Sequence, residues 1–243
     1  MKSFSIASLP LVISLTTSCT HSPADSPSIS PVPRNKPPKY HTTSPKIPLS
    51  VRKHWIHQAN TLALFPYPCP FAAFGTVIVN HTLDNPQGTL ICTGANQNSL
   101  AGNPTLHGEM AAINNCSSIF VSSAYNMTPA ESLAAFKDLS LYTNAESCPM
   151  CAAAVRWAGF REYVYGVSIK ELIELGWGQL DIGSEEVIGS GVGMRDQDPE
   201  VVLGGVGSEE SKVLFGWQFA GGDCPSGCER GERSDGCLPV ELE

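Results

Sequence analysis

Two short motifs, far apart in the chain, restrict its fold more than any other feature. They are Thr105-Leu-His-Gly-Glu109 and Glu146-Ser-Cys-Pro-Met-Cys151. A histidine, two close cysteines and a glutamate two residues after the histidine are the parts of a hydrolytic metal site. Zinc favours four-coordinate sites with thiolate and imidazole donors, and a reactive site keeps one position for water. On this reading His107, Cys148 and Cys151 are the three protein ligands, and Glu109 handles protons. Cys-x-x-Cys grips one ion from the first turn of a helix. Pro149 suits that turn, because the missing N–H costs no helical hydrogen bond, and a helix N-terminus favours thiolate over thiol. His107 also opens a helix, with Pro104 upstream. Inside a regular helix His107 and Glu109 would point about 200° apart, at ~100° per residue. They converge only at a helix entrance, so the fold has to bring two helix starts together.

Blander readings compete. A lone His-x-Glu arises easily by chance. Cys-Pro-Met-Cys after a strand also fits a thioredoxin-like redox motif or a simple Cys148–Cys151 disulfide. That reading leaves His107 and Glu109 without work, and the order of elements upstream does not match a thioredoxin-like fold.

Residues 52–64 read as a first helix. Phe74–Asn80 and Thr89–Thr93 read as strands joined by the turn Asp84-Asn-Pro-Gln-Gly88. A polar loop spans 96–104, and a helix runs from His107 to about Asn115. Strands follow at 140–144 and 163–167, separated by a helix through Trp157, with a short helix at 171–175. After about residue 180 glycines multiply and the pattern fades. A hairpin followed by alternating helices and strands predicts an α/β chain, a three-layer α/β/α sandwich on a mixed sheet.

Residues 1–20 resemble a secretory signal, with Lys2 ahead of a short apolar stretch that is too short to span a bilayer. An acylated Cys19 is the less favoured variant. Residues 21–50 hold eight of the 19 prolines and read as a linker. The expected division is signal 1–20, linker 21–50, catalytic domain 51–205 and a Gly- and Cys-rich extension 206–243. Three N-glycosylation sequons begin at Asn80, Asn115 and Asn126. Setting aside Cys19, Cys148 and Cys151 leaves Cys69, Cys92, Cys116, Cys224, Cys228 and Cys237. Six cysteines suit up to three disulfides in an oxidising compartment, with connectivity open and Cys92 and Cys116 equally readable as buried thiols. The expected location is extracellular, with no membrane association after signal cleavage. The formal charge of −8 and the lack of a basic run disfavour a nucleic-acid partner.

With these motifs on the page, residues 51–170 resemble the cytidine deaminase-like superfamily. The similarity is to the cytosine deaminase, guanine deaminase and tRNA adenosine deaminase branch. Thr105-Leu-His-Gly-Glu109 is similar to the cytosine deaminase motif. Cys148-Pro-Met-Cys151, with Ala154 and Trp157-Ala158, is closer to guanine and tRNA adenosine deaminases. Phe74-Gly-Thr-Val-Ile-Val79 resembles the family's first strand. The resemblance implies zinc held by His107, Cys148 and Cys151, with Glu109 as proton shuttle. It also implies that Asn96 orients a base, that Phe74 lines the pocket and that the protein is a homodimer. The expected substrate is a free nucleobase or nucleoside. The alternatives are a non-nucleobase heterocycle of secondary metabolism, or a secreted redox or binding module. One departure is local: the family's usual proline before the first cysteine is Ser147 here. The C-terminal part matches none of these families.

Overall fold

The computed structural model describes residues 46–65, 68–82, 84–194, 198–219, 222–231 and 236–240. The expected signal and most of the expected linker lie outside them. Five strands form the main sheet: β1 (Gly75–Asn80), β2 (Thr89–Ala95), β3 (Leu139–Ala145), β4 (Glu162–Val167) and β5 (Val201–Leu203), in the order β2-β1-β3-β4-β5. Strand β1 runs antiparallel to β2 and β3, and β4 runs parallel to β3 and β5. This is the mixed sheet that the pattern of elements predicts.

Alternation along the strands builds two cores. Val77, Val79, Tyr142 and Val164 face one side and pack on Trp55, Ile56 and Ala59 of α1 (Leu49–Ala63). Ile78, Leu141, Tyr163 and Tyr165 face the other. There they meet Ala112, Cys116 and Phe120 of α3 (Gly108–Val121) and Val155 of α5 (Pro149–Ala158). Helices therefore cover both faces of the sheet. Strands β3 and β4 are buried along their whole length, as central strands covered on both faces must be.

Several expected boundaries shift. Helix α1 starts at Leu49, after the already buried Ile47, so it takes in the last two residues of the expected linker. Helix α3 continues past Asn115 to Val121, because Ala112, Cys116 and Phe120 keep a four-residue apolar spacing on its inner face. The polar loop holds a single turn, α2 (Asn98–Ala101). Helix α4 (Pro129–Ala135) starts with a capping box in which the Thr128 and Glu131 side chains each bond the other's backbone N–H. Ser168 and Glu171 repeat it at α6 (Ile169–Glu174).

Beyond residue 180 the structure adds α7 (Ser184–Gly189), β5 and α8 (Ser208–Val213). The expected division between 205 and 206 falls inside packed structure. Val206 belongs to the core under α1, its N–H bonds the Tyr165 carbonyl at 3.1 Å, and Ser211 on α8 donates to Asn60 on α1 at 3.0 Å. These elements are too short for a periodic signal. A small hairpin, β6 (Cys228–Arg230) with β7 (Cys237–Pro239), ends the described chain. Three disulfides form: Cys69–Cys228, Cys92–Cys116 and Cys224–Cys237.

The topology leaves four chain ends along one rim of the sheet. These are the C-terminal ends of β2, β3 and β4 and the N-terminal end of β1. That rim carries the two sequence motifs.

Candidate active site

His107 is the N-cap of α3, in extended backbone with φ −72° and ψ 169°. Glu109 follows in the first turn and is buried. The histidine is thus not yet helical, which lets both side chains turn to the same place. Cys148 is the N-cap of α5, with Pro149 at the first helical position, and Cys151 is fully buried. Both expected helix entrances are present and they meet. His107 Nδ1 lies 3.6 Å from Cys148 Sγ and 3.7 Å from Cys151 Sγ. Tetrahedral zinc with Zn–N of about 2.0–2.1 Å and Zn–S of about 2.3 Å separates such donors by about 3.6 Å. The donor set and its spacing therefore fit a zinc ion. Among the described residues this is the one group of three or more His, Cys, Asp or Glu side chains placed to hold a metal ion.

The electrostatics agree. The hydrogen bond from Cys151, with help from His107, brings the Cys148 thiol down to about 4. Cys151 is pushed up because it shares its proton with Cys148, and His107 is raised by its contact with Cys148. Burial raises the Glu109 carboxyl above the ordinary carboxylate range, and the nearby Ser147 hydroxyl partly opposes this. Neither Cys148 nor Cys151 joins a disulfide. The Cys148–Cys151 bridge of the redox alternative is not formed, and the other six described cysteines pair with one another.

Helix α3 is held down by close backbone approach. A Cβ on Gly94 of β2 would lie 2.2 Å from the Ala112 nitrogen and 2.4 Å from the Gly108 oxygen. Glycine is what lets the helix descend this far. The Cys92–Cys116 disulfide ties the same two elements one helical turn farther on.

Asn96 follows β2. Its backbone N–H donates to the Phe74 carbonyl at 2.9 Å and its Nδ2 to Asn98 at 3.3 Å. Its Oδ1 is buried and has no hydrogen-bond partner among the described residues. Phe74 is half-buried, with its ring centroid 4.8 Å from that of Phe215 and 5.3 Å from that of Trp177. Its backbone lies beside Gly108, while its ring joins an aromatic cluster supplied by the C-terminal part.

Three supporting residues escaped the sequence reading. The Asn144 side chain accepts from the Gly75 N–H at 3.0 Å and donates to the Ala73 carbonyl at 2.8 Å, clamping the start of β1. Tyr163 accepts a hydrogen bond from the Ser147 N–H at 2.7 Å. A proline at 147 has no such N–H, so the departure from the family pattern is built into the turn before Cys148. The Glu146 carboxylate accepts from the Ile169 N–H at 2.8 Å and from the N–H and hydroxyl of Ser184, both at 2.7 Å. It joins the starts of α6 and α7 to the turn that carries Cys148. Adjacency to the cysteine motif was the only signal for Glu146. Nothing local marked Asn144 or Tyr163.

Comparison with known families bears directly on this geometry. The model of the cytidine and deoxycytidylate deaminase zinc-binding region matches residues 49–167. This segment belongs to the cytidine deaminase-like superfamily. Guanine deaminase of Bacillus subtilis is 31% identical over 104 residues, 43% of this chain and 56% of that enzyme. The chain thus spans little more than half of that relative. Cytosine deaminase of Candida albicans is 26% identical over 120 residues, 47% of this chain and 72% of that enzyme. The crystal structure of a mutant of NE0047 in complex with 8-azaguanine is 19% identical, with a TM-score of 0.50. It covers 69% of this chain and 84% of that one, and it shares the fold. The match to the family model ends with β4, so the Trp177 and Phe215 rings against Phe74 lie outside it.

Proposed function

We propose that the protein is an exported, zinc-dependent hydrolytic deaminase, a homodimer as the resemblance implies, that removes the exocyclic amino group of a free nucleobase or its nucleoside. The observation that carries this reading is the triangle of His107, Cys148 and Cys151 beside the buried Glu109. The names of the relatives, guanine and cytosine deaminases, support a nucleobase as substrate. The three disulfides support export.

His107 Nδ1 and the two sulfurs would hold the metal, the sulfurs as thiolates at the start of α5. Zinc at such a site activates a water near neutral pH and offsets negative charge as it develops. Glu109 does the proton work. Its buried carboxyl, raised in pKa, can hold a proton at a pH where an exposed glutamate has lost it. It takes a proton from the attacking water, gives it to the ring nitrogen, and passes another to the leaving amino group. Asn96 Oδ1 stands ready to accept from a ring N–H, which would satisfy a buried acceptor that otherwise lacks a partner. The Asn144 clamp and the Tyr163–Ser147 bond hold the walls in place.

Ammonia release by the purified, zinc-loaded protein tests this against cytosine, guanine, adenine and their nucleosides, with Glu109→Ala alongside. Release by the wild type, abolished in the variant with zinc still bound, is the expected result. Full zinc occupancy without release from any of the six would rule out the nucleobase reading.

A further inference from the structure

The three sequons have no part in the site, and the structure separates them. Asn80 ends β1, half-buried, between Thr89 of β2 and Leu139 of β3, and is followed by the buried His81. Asn115 lies within α3. Its Oδ1 accepts the Thr93 N–H of the edge strand at 3.2 Å, and the next residue, Cys116, is buried in its disulfide. A saccharide there would have to leave between the helix and the sheet edge.

Asn115 is itself exposed, so the difference at Asn126 lies in its backbone and its free side chain. Asn126 lies exposed in the turn between α3 and α4, at φ 50°, the only non-glycine positive φ among the described residues. Its backbone N–H is spent on the Ser122 carbonyl at 2.7 Å, while no hydrogen bond among the described residues holds its side-chain amide. The chain next to it exposes apolar side chains, with Val121 at 52% and Tyr125 at 47%. Backbone geometry accounts for an asparagine here, and the α4 cap accounts for Thr128. The triplet alone is therefore not the argument. The accessible amide, set in an apolar rim that a hydrophilic polymer would cover, carries it.

We propose that Asn126 is an N-glycosylation site and that Asn80 and Asn115 are not. The co-reactant is a polyprenyl-diphosphate-linked oligosaccharide. The Asn126 amide nitrogen forms a bond to the anomeric carbon of the first sugar, and the bond from that carbon to the diphosphate oxygen breaks. The polyprenyl diphosphate leaves, the amide loses one proton, and no electrons change hands. Asn126 sits beyond the far end of α3, about 20 Å from His107 at 1.5 Å per helical residue, so the glycan leaves the metal site alone. This inference rests on export and not on the deaminase reading.

The test is translation of the full chain with endoplasmic-reticulum microsomes, once with its own N-terminus and once behind a heterologous cleavable signal. Mobility is read before and after peptide N-glycosidase treatment. A single-glycan shift that disappears in Asn126→Gln and persists in Asn80→Gln and Asn115→Gln is expected, with zinc content equal in all variants. A lumenal chain without a glycan overturns the site, as does a shift that survives Asn126→Gln. Failure of the native N-terminus alone to enter the lumen overturns the export on which the proposal rests, while the heterologous signal still reads the acceptor.

Discussion

The region around the candidate metal site and the C-terminal region are held together largely by different means. Around the site, order comes from a covered sheet, from helices that descend onto it, and from side chains spent on backbone groups. Asn144, Glu146 and Tyr163 each fix a turn in this way. Past residue 175, regular elements are short. Besides the β5 pairing and the contacts of Glu146 with Ser184 and of Asn60 with Ser211, order there comes from an aromatic cluster around Trp177 and from Cys69–Cys228 and Cys224–Cys237. The comparison teaches that a reacting centre needs positions fixed to fractions of an ångström, which dense polar and backbone contacts supply. A wall that only has to be present can be stapled.

The sharpest way to break this comparison is at the centre. Cys151→Ser should lose zinc, measured by metal analysis, and lower turnover roughly 10³-fold, since a catalytic metal supplies several kcal/mol. Its disulfides and C-terminal part should stay intact. Undiminished turnover by a zinc-free variant would sink the assignment of the ligands.

Cutting the staple should do the reverse. Cys69→Ser together with Cys228→Ser closes off a long loop no more, and should cost about 2–5 kcal/mol in denaturant unfolding while zinc content is kept. Replacing Cys92 and Cys116, which close a loop of 24 residues, should cost roughly 1–2 kcal/mol less in the chain-entropy account. Equal costs would argue that the C-terminal part is held mainly by its aromatic packing.

A third test sharpens the contrast through pH. His81 is buried between the Pro86 carbonyl and the Tyr142 hydroxyl, and desolvation lowers its pKa from 6.5 to about 4. Between those values the unfolded chain takes up a proton that the folded chain refuses. Stability from this group is therefore full above about pH 6.5 and is lost as the pH falls toward 4. The loss is on the order of 3 kcal/mol at most, visible as a fall in urea midpoint that His81→Gln should flatten. The smallest effect is expected from Gly94→Ala. The added methyl meets the backbone of α3 and should cost about 1–3 kcal/mol, with a weaker hold on zinc. No change in either would mean that α3 is free to lift.

How much of this was legible in the chain follows the same division. The hairpin, β3, β4 and both helix entrances stood out, because alternation and the two motifs repeat their signal over several residues. Asn96 was reached only through the family resemblance, and nothing in its local sequence marks its oxygen as buried without a partner among the described residues. Trp177, α7 and α8 were not legible. Their roles depend on residues distant in sequence, such as Glu146 for α7 and Asn60 for α8, and no local period announces such a contact. The disulfide pairs were out of reach for the same reason.

The bond from the Ser147 N–H to Tyr163 also ties two positions that lie 16 residues apart. Proline at 147 would remove the donor and leave the buried phenol without that bond. The turn ahead of Cys148 is therefore written in two places, once beside the cysteine and once on a central strand, so that a change at either position is felt at the other.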